Sequence, residues 1–375
     1  MVIAVNTRFL LPEYLEGYGN FINECFSRLT NQFPQHTFIF IFDRKYNPDF
    51  IFSENVIPVV LPPETRHPFL WWIWFNIRVP VVLKKYKADV FVSTDGFCSL
   101  FTNVSQCLVI HDLAFLYYPL LIKKSHLLYY KKFTPLFLKK AKRVATVSEF
   151  SKIDIIKNYK INSEKIDVVF NGANELFKPV NFEEREAIKE QYAEGNEYFL
   201  CTAAIHPRKN LLNLLKAFSI FKKKQKSKMQ LLIAGRFAWK NEEFKELLRT
   251  YKYRDEIKLI GYVDQAILVK ITAGAYAMVY PSLFEGFGVP IIEAMRCKVP
   301  VLTSNVSAMP EIAGEAALYF NPHHYNEIAD KMMLVFKDEQ MRHQLIQKGI
   351  IQATKYNWDT TAALLWSCIL KSVRS

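Results

Sequence analysis

Two glutamates eight positions apart flank a glycine-rich turn in the second half of the chain. Glu285 precedes the turn and Glu293 follows it, while Pro290 suits the first position of a helix. The turn consists of Gly286, Phe287, Gly288 and Val289. The free N–H groups and the dipole of a helix start favour phosphate, and the flanking carboxylates can accept hydrogen bonds from sugar and ribose hydroxyls. The pattern indicates a sugar-nucleotide site, or else a structural turn that carries two surface glutamates.

A second candidate site lies in AAIHPRKNLLNLLKAF, residues 203–218. Arg208 and Lys209 fall in the turn between a predicted strand and a predicted helix, where they can reach a diphosphate at the carboxyl edge of a parallel sheet. Positive charges at a helix start interact unfavourably with the helix dipole, so a purely structural role does not explain why two basic residues stand there. We therefore predict that Arg208 and Lys209 bind phosphate.

The first half of the chain offers a histidine and a pair of glycines. His111 and Asp112 end a predicted strand, so the imidazole can contact a substrate hydroxyl or assist proton transfer, although a structural His-Asp pair explains the residues equally well. Gly17 and Gly19 precede a predicted amphipathic helix and allow the backbone to approach phosphate or sugar. Ile22 occupies the third glycine position of a dinucleotide fingerprint, which disfavours a Rossmann oxidoreductase.

Several common site motifs are missing from the sequence. It contains no P-loop, HExxH, GxSxG or convincing DxD-type motif, so we expect neither a metal nor a cofactor. The six cysteines are scattered, with no CxxC pair, which indicates reduced thiols in the core of a cytoplasmic protein. The N-terminus enters a β-like run directly, without the features of a signal peptide.

Short apolar runs alternate with helical patterns along the chain, as in βαβ units with a parallel sheet. Predicted strands of the first half cover residues 2–5, 36–42, 89–94, 106–112, 143–148 and 166–172. Those of the second half cover residues 198–204, 229–235, 256–262, 275–282, 299–304 and 317–320. A polar stretch between the two sets, residues 174–196, reads as a linker followed by a helix. We predict two doubly wound, Rossmann-like domains, residues 1–176 and 177–355, and a C-terminal helix, residues 356–375, that crosses back to the first domain.

The charge of the chain points to an anionic partner. Lysine and arginine number 49 against 36 acidic residues, a formal charge of +13, which suits nucleic acid, a phosphorylated small molecule or a membrane surface. Residues 67–85 are strongly apolar and contain Trp71, Trp72 and Trp74. Asn76, Arg78 and Pro80 interrupt the apolar run, which is therefore too short to span a bilayer.

Two segments combine basic and aromatic residues without acids. Between Asp112 and Glu149 there are eight lysines or arginines and no acid, and no acid occurs between Glu64 and Asp89. This composition suits helices that lie in an anionic membrane interface, and it also suits core-packed helices with a solvated basic face. We expect a cytoplasmic protein, peripheral on the inner face of the cell membrane if the first interpretation holds.

Taken together, the motifs resemble those of the retaining glycosyltransferases with the GT-B fold, family 4. The resemblance rests on EGYGNF, IHDLAFLYYP, ATVSEFSKIDI, VVFNGAN, HPRKNLLNLLKAF, LIGYV and PSLFEGFGVPIIEAM, followed by VPVLTS and MPEIAGEAALYF, and it spans nearly the whole chain. It implies two Rossmann-like domains with parallel sheets that face each other across a cleft. The acceptor would bind mainly to the first and the nucleotide sugar mainly to the second.

The resemblance also implies roles for individual residues. Glu285 would contact the donor sugar, Glu293 the ribose, and Arg208 and Lys209 the diphosphate. The backbone of three residues would meet the base, namely Gly261, Tyr262 and Val263.

Two residues of the first half receive a role in the same way, and one residue departs from the family pattern. His111 would sit near the transferred sugar, and Gly17 near the phosphates or the acceptor. Lys298 stands where family members commonly carry glycine, so the geometry of the turn after the helix is expected to differ.

The expected reaction is the transfer of a hexose, with retention and without a metal, from a GDP- or UDP-sugar to a glycan acceptor. GDP-mannose is the first choice of donor, because IHDLAFLYYP and HPRKN look most like mannosyltransferase-type members. A lipid-linked acceptor in cell-surface polysaccharide assembly fits a membrane location. The alternatives are a sugar-nucleotide epimerase or a phosphorylase-like enzyme of the same architecture. A nucleic-acid-binding protein would leave the Glu285 to Glu293 segment unexplained.

Overall fold

The structure, a computed structural model, describes residues 1–11, 15, 17–237 and 242–374 of the chain. Within these residues the strands form two parallel sheets, one of seven strands and one of six. The predicted pair of doubly wound α/β domains is thereby confirmed. Glu16, the first residue of the EGYGNF motif, lies outside the described residues.

The first sheet is built from residues of the first half of the chain. Its strands are β1 (Val2–Asn6), β2 (Thr37–Phe42), β3 (Val56–Val60), β4 (Val90–Ser93), β5 (Ser105–Ile110), β6 (Arg143–Thr146) and β7 (Ile166–Val168). They lie in the order β3-β2-β1-β4-β5-β6-β7. Because helices cover both faces of such a sheet, its central strands are continuous apolar runs without alternation.

One strand of this sheet, β3, is absent from the predicted strands. Pro58 interrupts its apolar run, and a proline argues against a central strand. β3 forms the edge of the sheet and pairs in parallel with β2, where a residue without an N–H group is tolerated.

The second sheet follows the predicted strands one by one. It contains β8 (Tyr198–Thr202), β9 (Gln230–Ala234), β10 (Ile257–Gly261), β11 (Ala277–Tyr280), β12 (Val301–Ser304) and β13 (Ala317–Phe320). Their order is β10-β9-β8-β11-β12-β13, so the direction of winding reverses between β8 and β11. In open α/β sheets, ligands bind at the carboxyl edge beside such a reversal.

Helices connect the strands. They are α1 (Gly17–Gln32), α2 (Pro68–Ile73), α3 (Val79–Lys85), α4 (Ala114–Tyr117), α5 (Lys124–Lys140), α6 (Glu149–Tyr159), α7 (Phe182–Ala193), α8 (Leu211–Gln225), α9 (Glu242–Arg249), α10 (Gln265–Ala273), α11 (Val289–Arg296), α12 (Met309–Ala313), α13 (Tyr325–Lys337), α14 (Glu339–Ala353) and α15 (Trp358–Arg374). A π-helical turn, Trp74–Arg78, joins α2 to α3. Among the described helices, none is both long and apolar enough to cross a membrane.

Internal contacts divide the chain into two units. The first comprises Met1–Asn171 together with α15, and the second comprises Gly172–Asn357. α15 places Leu365 and Ile369 in the same core as β1 and α1, which explains why it belongs to the first unit. The first unit ends before the predicted boundary at residues 176 and 177, because Phe177 is buried and its carbonyl accepts a hydrogen bond from Arg296 of α11 at 3.4 Å.

Two tryptophans of residues 67–85 do not lie where a helix in a membrane interface would place them. Trp71 and Trp74 are buried in the core of the first unit. Their indole N–H groups donate to the carbonyls of Thr65 and Leu61 at 2.6 and 2.7 Å. These two aromatic residues therefore stabilise the fold, and the core-packed interpretation is correct for them.

Candidate active site

The predicted phosphate-binding turn lies between β8 and α8. Pro207–Lys209 form a single 3-10 turn, and Asn210 takes a left-handed conformation with φ of 60°. Asparagine tolerates this conformation better than most residues. The Asn210 amide donates to the carbonyls of Pro281 and Pro322 at 3.1 and 2.7 Å, so the turn is tied to the segments that follow β11 and β13.

Glu285 contacts both cations of this turn. Its Oε1 lies 2.6 Å from Nζ of Lys209, and its Oε2 lies 3.6 Å from Nη1 of Arg208. Lys209 also donates to the Tyr280 hydroxyl at 3.1 Å, and Arg208 donates to the carbonyl of Phe284 at 2.8 Å. The structure thus brings together Arg208, Lys209 and Glu285 at the carboxyl edge of the second sheet.

The charges of this cluster are coupled. Burial by itself would raise the pKa of Glu285, but the positive charges of Lys209 and Arg208 outweigh it and lower the pKa to about 2. Burial opposes the charge of Lys209, yet the Glu285 carboxylate raises the pKa of Lys209 above its ordinary value. All three side chains are therefore charged at neutral pH. Two cations face one carboxylate, and the excess positive charge favours a further anion.

The turn after Glu285 is held by the connection that follows β12. The Glu285 N–H donates to Oγ of Ser307 at 3.0 Å, and the Ala308 N–H donates to the Glu285 carbonyl at 3.3 Å. Gly286 and Phe287 are buried, and the ring of Phe287 contacts Tyr356 edge-on at 5.4 Å. The backbone around Glu285 is therefore fixed by the protein itself.

The helix α11 begins directly after this turn. Gly288 stands at its N-cap with φ of 100°, a left-handed conformation that favours glycine. Val289 and Pro290 form the first turn, and within the described chain no side chain caps this helix start. Pro290 has no N–H group, and the Ile291 N–H donates to the Gly288 carbonyl at 3.0 Å, so in the first turn the Val289 N–H is the group that can meet an anion. The predicted phosphate contact of this helix start stays a prediction.

Glu293 lies one turn further along α11. It is half-buried, and within the described part of the chain its carboxyl group has no hydrogen-bond or ion-pair partner. Burial raises its pKa to about 8. This half-buried carboxyl group, without a partner among the described residues, can therefore accept hydrogen bonds from the hydroxyl groups of a ligand.

Of the three residues predicted to meet the base, Gly261 ends β10 and the other two, Tyr262 and Val263, follow it. Gly261 has φ of 77°, and its carbonyl accepts a hydrogen bond from Gly235 at 2.7 Å. Tyr262 is exposed and Val263 is half-buried. β10 is separated from β8 by β9, so this segment lies on the same sheet as the charged cluster.

His111 lies in the first unit, directly after β5. Its Nε2 is 3.0 Å from the carbonyl oxygen of Thr94, and because a carbonyl can only accept, Nε2 carries the proton of the neutral ring. Tyr18 and Phe21 contact the ring edge-on at 4.8 and 5.1 Å. Burial lowers the pKa of His111 to about 4, so the ring is neutral at pH 7. Such a ring suits a hydrogen bond from a hydroxyl at Nδ1 better than proton abstraction.

The two glycines of the EGYGNF motif lie inside α1 rather than before it. Gly17 opens the helix with φ of 28°. A Cβ atom on Gly19 would lie 2.4 Å from the carbonyl oxygen of Phe9, so glycine allows α1 to pack on the segment after β1. Close packing explains Gly19, and a role of either glycine towards a ligand stays a prediction.

Sequence reasoning missed several residues near these sites. In the second unit they are Tyr280, Asn210 and Ser307. In the first unit they are Asn6, Arg8 and Asp95, which form a buried cluster. Tyr280 and Asn6 end strands, and Ser307, Arg8 and Asp95 follow strands closely, so a search for polar residues at every predicted strand end would have found these five. Asn210 stands at the start of α8 instead.

Two protein families match the chain, one in each half. Residues 27–175 match the family described as Glycosyltransferase Family 4, and residues 182–352 match the family described as Glycosyl transferases group 1. The two matches do not overlap, and between them they cover most of the chain.

Similar proteins carry related names. The chain is 29% identical over 250 residues to O-antigen chain mannosyltransferase B of Escherichia coli, with 66% of each chain covered. It is 28% identical over 272 residues to O-antigen chain mannosyltransferase RfbU of Salmonella typhimurium strain LT2, with 72% of this chain and 71% of that relative covered. The first alignment therefore falls just short of two thirds of its relative's own length.

A solved structure supports the fold. WaaG, a glycosyltransferase involved in lipopolysaccharide biosynthesis, matches with a TM-score of 0.81 at 14% identity, covering 98% of this chain and 99% of that one. The family matches and the two parallel sheets agree: the chain consists of a Glycosyltransferase Family 4 domain followed by a Glycosyl transferases group 1 domain, and it has the GT-B fold.

Proposed function

We propose that the protein transfers a hexosyl group, with mannose from GDP-mannose as the first choice, from a nucleotide-diphosphate sugar to a glycan acceptor. The observation that carries this proposal is the pairing, around one helix start, of the cationic cluster with the Glu293 carboxyl group that no described residue contacts. The names of the O-antigen mannosyltransferase relatives support mannose and cell-surface polysaccharide assembly. Because the names of these relatives indicate mannose, we also propose GDP rather than UDP as the nucleotide of the donor.

The donor occupies the second unit in this proposal. Its diphosphate lies against Arg208, Lys209 and the first amides of α11, while Glu293 accepts hydrogen bonds from the two ribose hydroxyls. The base contacts the backbone at residues 261–263, and the sugar contacts Glu285. Arg208 and Lys209 are already ordered by hydrogen bonds, so they bind the phosphates without a large reorganisation.

The bond to the diphosphate breaks with charge separation. The C1–O bond of the donor cleaves, the sugar takes on oxocarbenium character, and the diphosphate gains negative charge that Arg208 and Lys209 stabilise. The acceptor hydroxyl forms the new C1–O bond on the same face, and its proton goes to the departing diphosphate. These side chains supply the positive charge, so we propose that transfer requires no metal ion and continues in a chelator.

The acceptor in this proposal is lipid-linked, and the enzyme acts at the cytoplasmic face of the membrane. The outer surface of α2, the π-helical turn and α3 supports this. Phe69 and Val81 are 65% and 62% exposed, and Ile77 is exposed between them, which leaves large apolar side chains in solvent. Lys84 and Lys85 follow on the same segment.

The helix α5 has an exposed face of the same character. Leu128 is 72% exposed, and Leu136 lies two turns further along on the same side. The lysines of its exposed surface are Lys124, Lys131, Lys132, Lys139 and Lys140. α2 and α5 pack against each other in one core, and apolar side chains among lysines match an anionic lipid bilayer. We therefore propose that this face of the first unit docks on anionic lipid.

Calorimetric binding of GDP, UDP and ADP tests the donor site. We expect one nucleotide to bind selectively to the wild-type protein and weakly to Glu293→Ala. Glu183→Ala, an exposed carboxylate of α7, is the matched control and should bind like the wild type. If no nucleotide binds to the folded protein, even with glycan acceptors present, the proposal is wrong and nucleic-acid binding should be measured instead.

Two assays separate enzymes that share this architecture. Consumption of the donor without an acceptor, with a changed sugar as product, would identify an epimerase. Cleavage of a glycan that depends on inorganic phosphate would identify a phosphorylase-like enzyme. Transfer of the sugar to an added glycan, with release of nucleoside diphosphate, is the outcome that the proposal requires.

A further inference from the structure

A buried ion pair lies at the carboxyl edge of the first sheet. Arg8 follows β1 and Asp95 follows β4, and both are 4% exposed. Nε of Arg8 lies 2.5 Å from Oδ2 of Asp95. The Asn6 amide donates to the same oxygen at 2.8 Å, and the Ser93 hydroxyl donates to Oδ1 at 3.3 Å. The Asp95 carboxylate is therefore held by three side chains.

The guanidinium of Arg8 is enclosed by aromatic rings. Its central carbon lies between 4.8 and 5.9 Å from the ring centres of Phe9, Phe75, Phe97 and Trp71. Removing two charges from water costs free energy that their attraction often does not recover, so a buried pair of this kind is weak evidence for stability. A role in fixing geometry is the better explanation for its presence.

The residue next to this ion pair orients His111. Thr94 directly precedes Asp95, and the carbonyl of Thr94 is the acceptor for Nε2 of His111 at 3.0 Å. On the other side of Asp95, the Gly96 N–H donates to the carbonyl of Val109 at 3.0 Å. The loop that carries the Thr94 carbonyl is thus clamped at Asp95 and at Gly96.

We propose that Arg8 and Asp95 are positioning residues, which hold the Thr94 carbonyl against Nε2 of His111 so that the ring offers Nδ1 as an acceptor to a substrate hydroxyl. The proposal rests on the function proposed above and adds to it a contact between a substrate hydroxyl and His111, whose neutral ring can accept a hydrogen bond at Nδ1. It predicts that the ion pair sets which nitrogen of His111 carries the proton.

Among the described residues, the hydrogen bond that His111 makes through a ring nitrogen is the one to Thr94. Asp112 accepts a hydrogen bond from the Ala114 N–H at 2.9 Å, and Tyr18 contacts the ring with its edge. The negative charges of Asp112 and Asp95 favour protonation of His111, whereas burial opposes it more strongly. The hydrogen bond to Thr94 is the contact that distinguishes Nε2 from Nδ1.

The double variant Arg8→Met with Asp95→Asn tests this proposal. It removes both charges together, which avoids leaving one unpaired charge in the core. Nitrogen NMR of the labelled full-length protein, with the His111 signal assigned by its loss in His111→Gln, reports the tautomer. We expect a single Nε2–H form in the wild type and in Arg8→Lys, and a mixture of both tautomers in the double variant.

Kinetics give a second readout. A misplaced ring should lower kcat of the double variant about ten- to hundredfold, with the KM for the donor nearly unchanged. If the double variant does not fold, Asn6→Ala removes one hydrogen bond to Asp95 and should shift the tautomer in the same direction to a smaller extent.

Two results bear on the proposal in different ways. A folded double variant whose His111 keeps the single Nε2–H form would overturn it. If the tautomer changes but His111→Gln transfers sugar at the wild-type rate, the positioning by Arg8 and Asp95 stands, and it is the proposed contact of His111 with substrate that fails.

Discussion

At the scale of single residues, Glu285 and Glu293 show how neighbouring side chains decide protonation. Glu285 is buried and Glu293 is half-buried. Lys209 and Arg208 lower the pKa of Glu285 to about 2 despite its burial, whereas burial without a compensating charge raises that of Glu293 to about 8. Glu285 is thus always charged near neutral pH, while Glu293 is mostly protonated until a ligand or a higher pH changes it.

The first residue-scale prediction concerns Arg208. Replacing Arg208 by alanine removes one fixed donor for the leaving diphosphate, and loss of such a donor costs on the order of 3 kcal/mol in transition-state stabilisation. We expect kcat to fall by about a hundredfold or more with the fold intact. Steady-state kinetics measure this, with Arg249→Ala, an exposed arginine of α9, as the control. Near-normal turnover of Arg208→Ala would remove Arg208 from the mechanism.

The second residue-scale prediction concerns the pH dependence of stability. The folded-state pKa of Glu293, about 8, lies above the ordinary value of 4.5, so the folded protein holds this proton more tightly than the unfolded chain. Its contribution to stability is therefore complete below about pH 4.5 and is lost as the pH rises through about 8. Glu293→Gln stays neutral throughout and lacks this loss.

Melting temperatures of the two proteins between about pH 5 and pH 9 measure the difference. We expect the wild type to lose stability relative to Glu293→Gln as the pH rises. Glu183→Gln, with its side chain in solvent, should follow the wild type. Parallel curves for the wild type and Glu293→Gln would contradict the raised pKa.

At the scale of elements, the start of α11 depends on one backbone conformation. The φ of Gly288 is 100°, and a Cβ atom on this residue would lie 3.1 Å from Cδ1 of Ile291. Left-handed strain of this kind costs about 1–2 kcal/mol. We expect Gly288→Ala to lower nucleotide affinity about tenfold, because the first amides of α11 must shift, and calorimetry measures it.

Gly195 provides a matched control for this substitution. It also has a positive φ, 74°, but it lies after α7, and among the described residues a Cβ atom there would meet only the flexible side chain of Glu190 within 4 Å. Gly195→Ala should lose similar stability and keep its nucleotide affinity. Equal affinities for Gly288→Ala and the wild type would show that the start of α11 does not contact the donor.

At the scale of the whole molecule, the formal charge of +13 predicts attraction to anionic lipid. The double variant Phe69→Ser with Val81→Ser removes two exposed apolar side chains from the proposed docking face. We expect it to sediment about tenfold less with vesicles of phosphatidylcholine and phosphatidylglycerol than the wild type. High salt and pure phosphatidylcholine vesicles should weaken the binding of the wild type, because both reduce the electrostatic attraction.

Ile351→Ser is the matched control for vesicle binding. Ile351 is an exposed apolar residue of α14 in the second unit, outside the proposed face. This variant should sediment like the wild type. A wild-type protein that does not sediment with anionic vesicles at low salt would rule out the docking face but would leave the donor site untouched.

Much of the architecture was determined by the sequence alone. The strands of the second sheet, and those of the first sheet except β3, appear as short apolar runs, because parallel strands covered by helices on both faces need apolar residues throughout. Local rules also determine the Pro207–Lys209 turn and the start of α11, since glycine, proline and asparagine limit the backbone by their own geometry. β3 was not predicted, because a strand that contains a proline such as Pro58 is tolerated only at the edge of a sheet, and the position of a strand in the sheet is a property of the tertiary structure.

Tertiary structure alone decided the rest, for a physical reason. Hydrogen bonds, ion pairs and burial depend on distances between residues that are far apart in sequence, such as Lys209 with Glu285 and Arg8 with Asp95. The opposite pKa shifts of Glu285 and Glu293, the tautomer of His111 and the burial of Trp71 all follow from such contacts. The sequence shows which residue types stand at strand ends, but only the packing of the chain determines which of them meet.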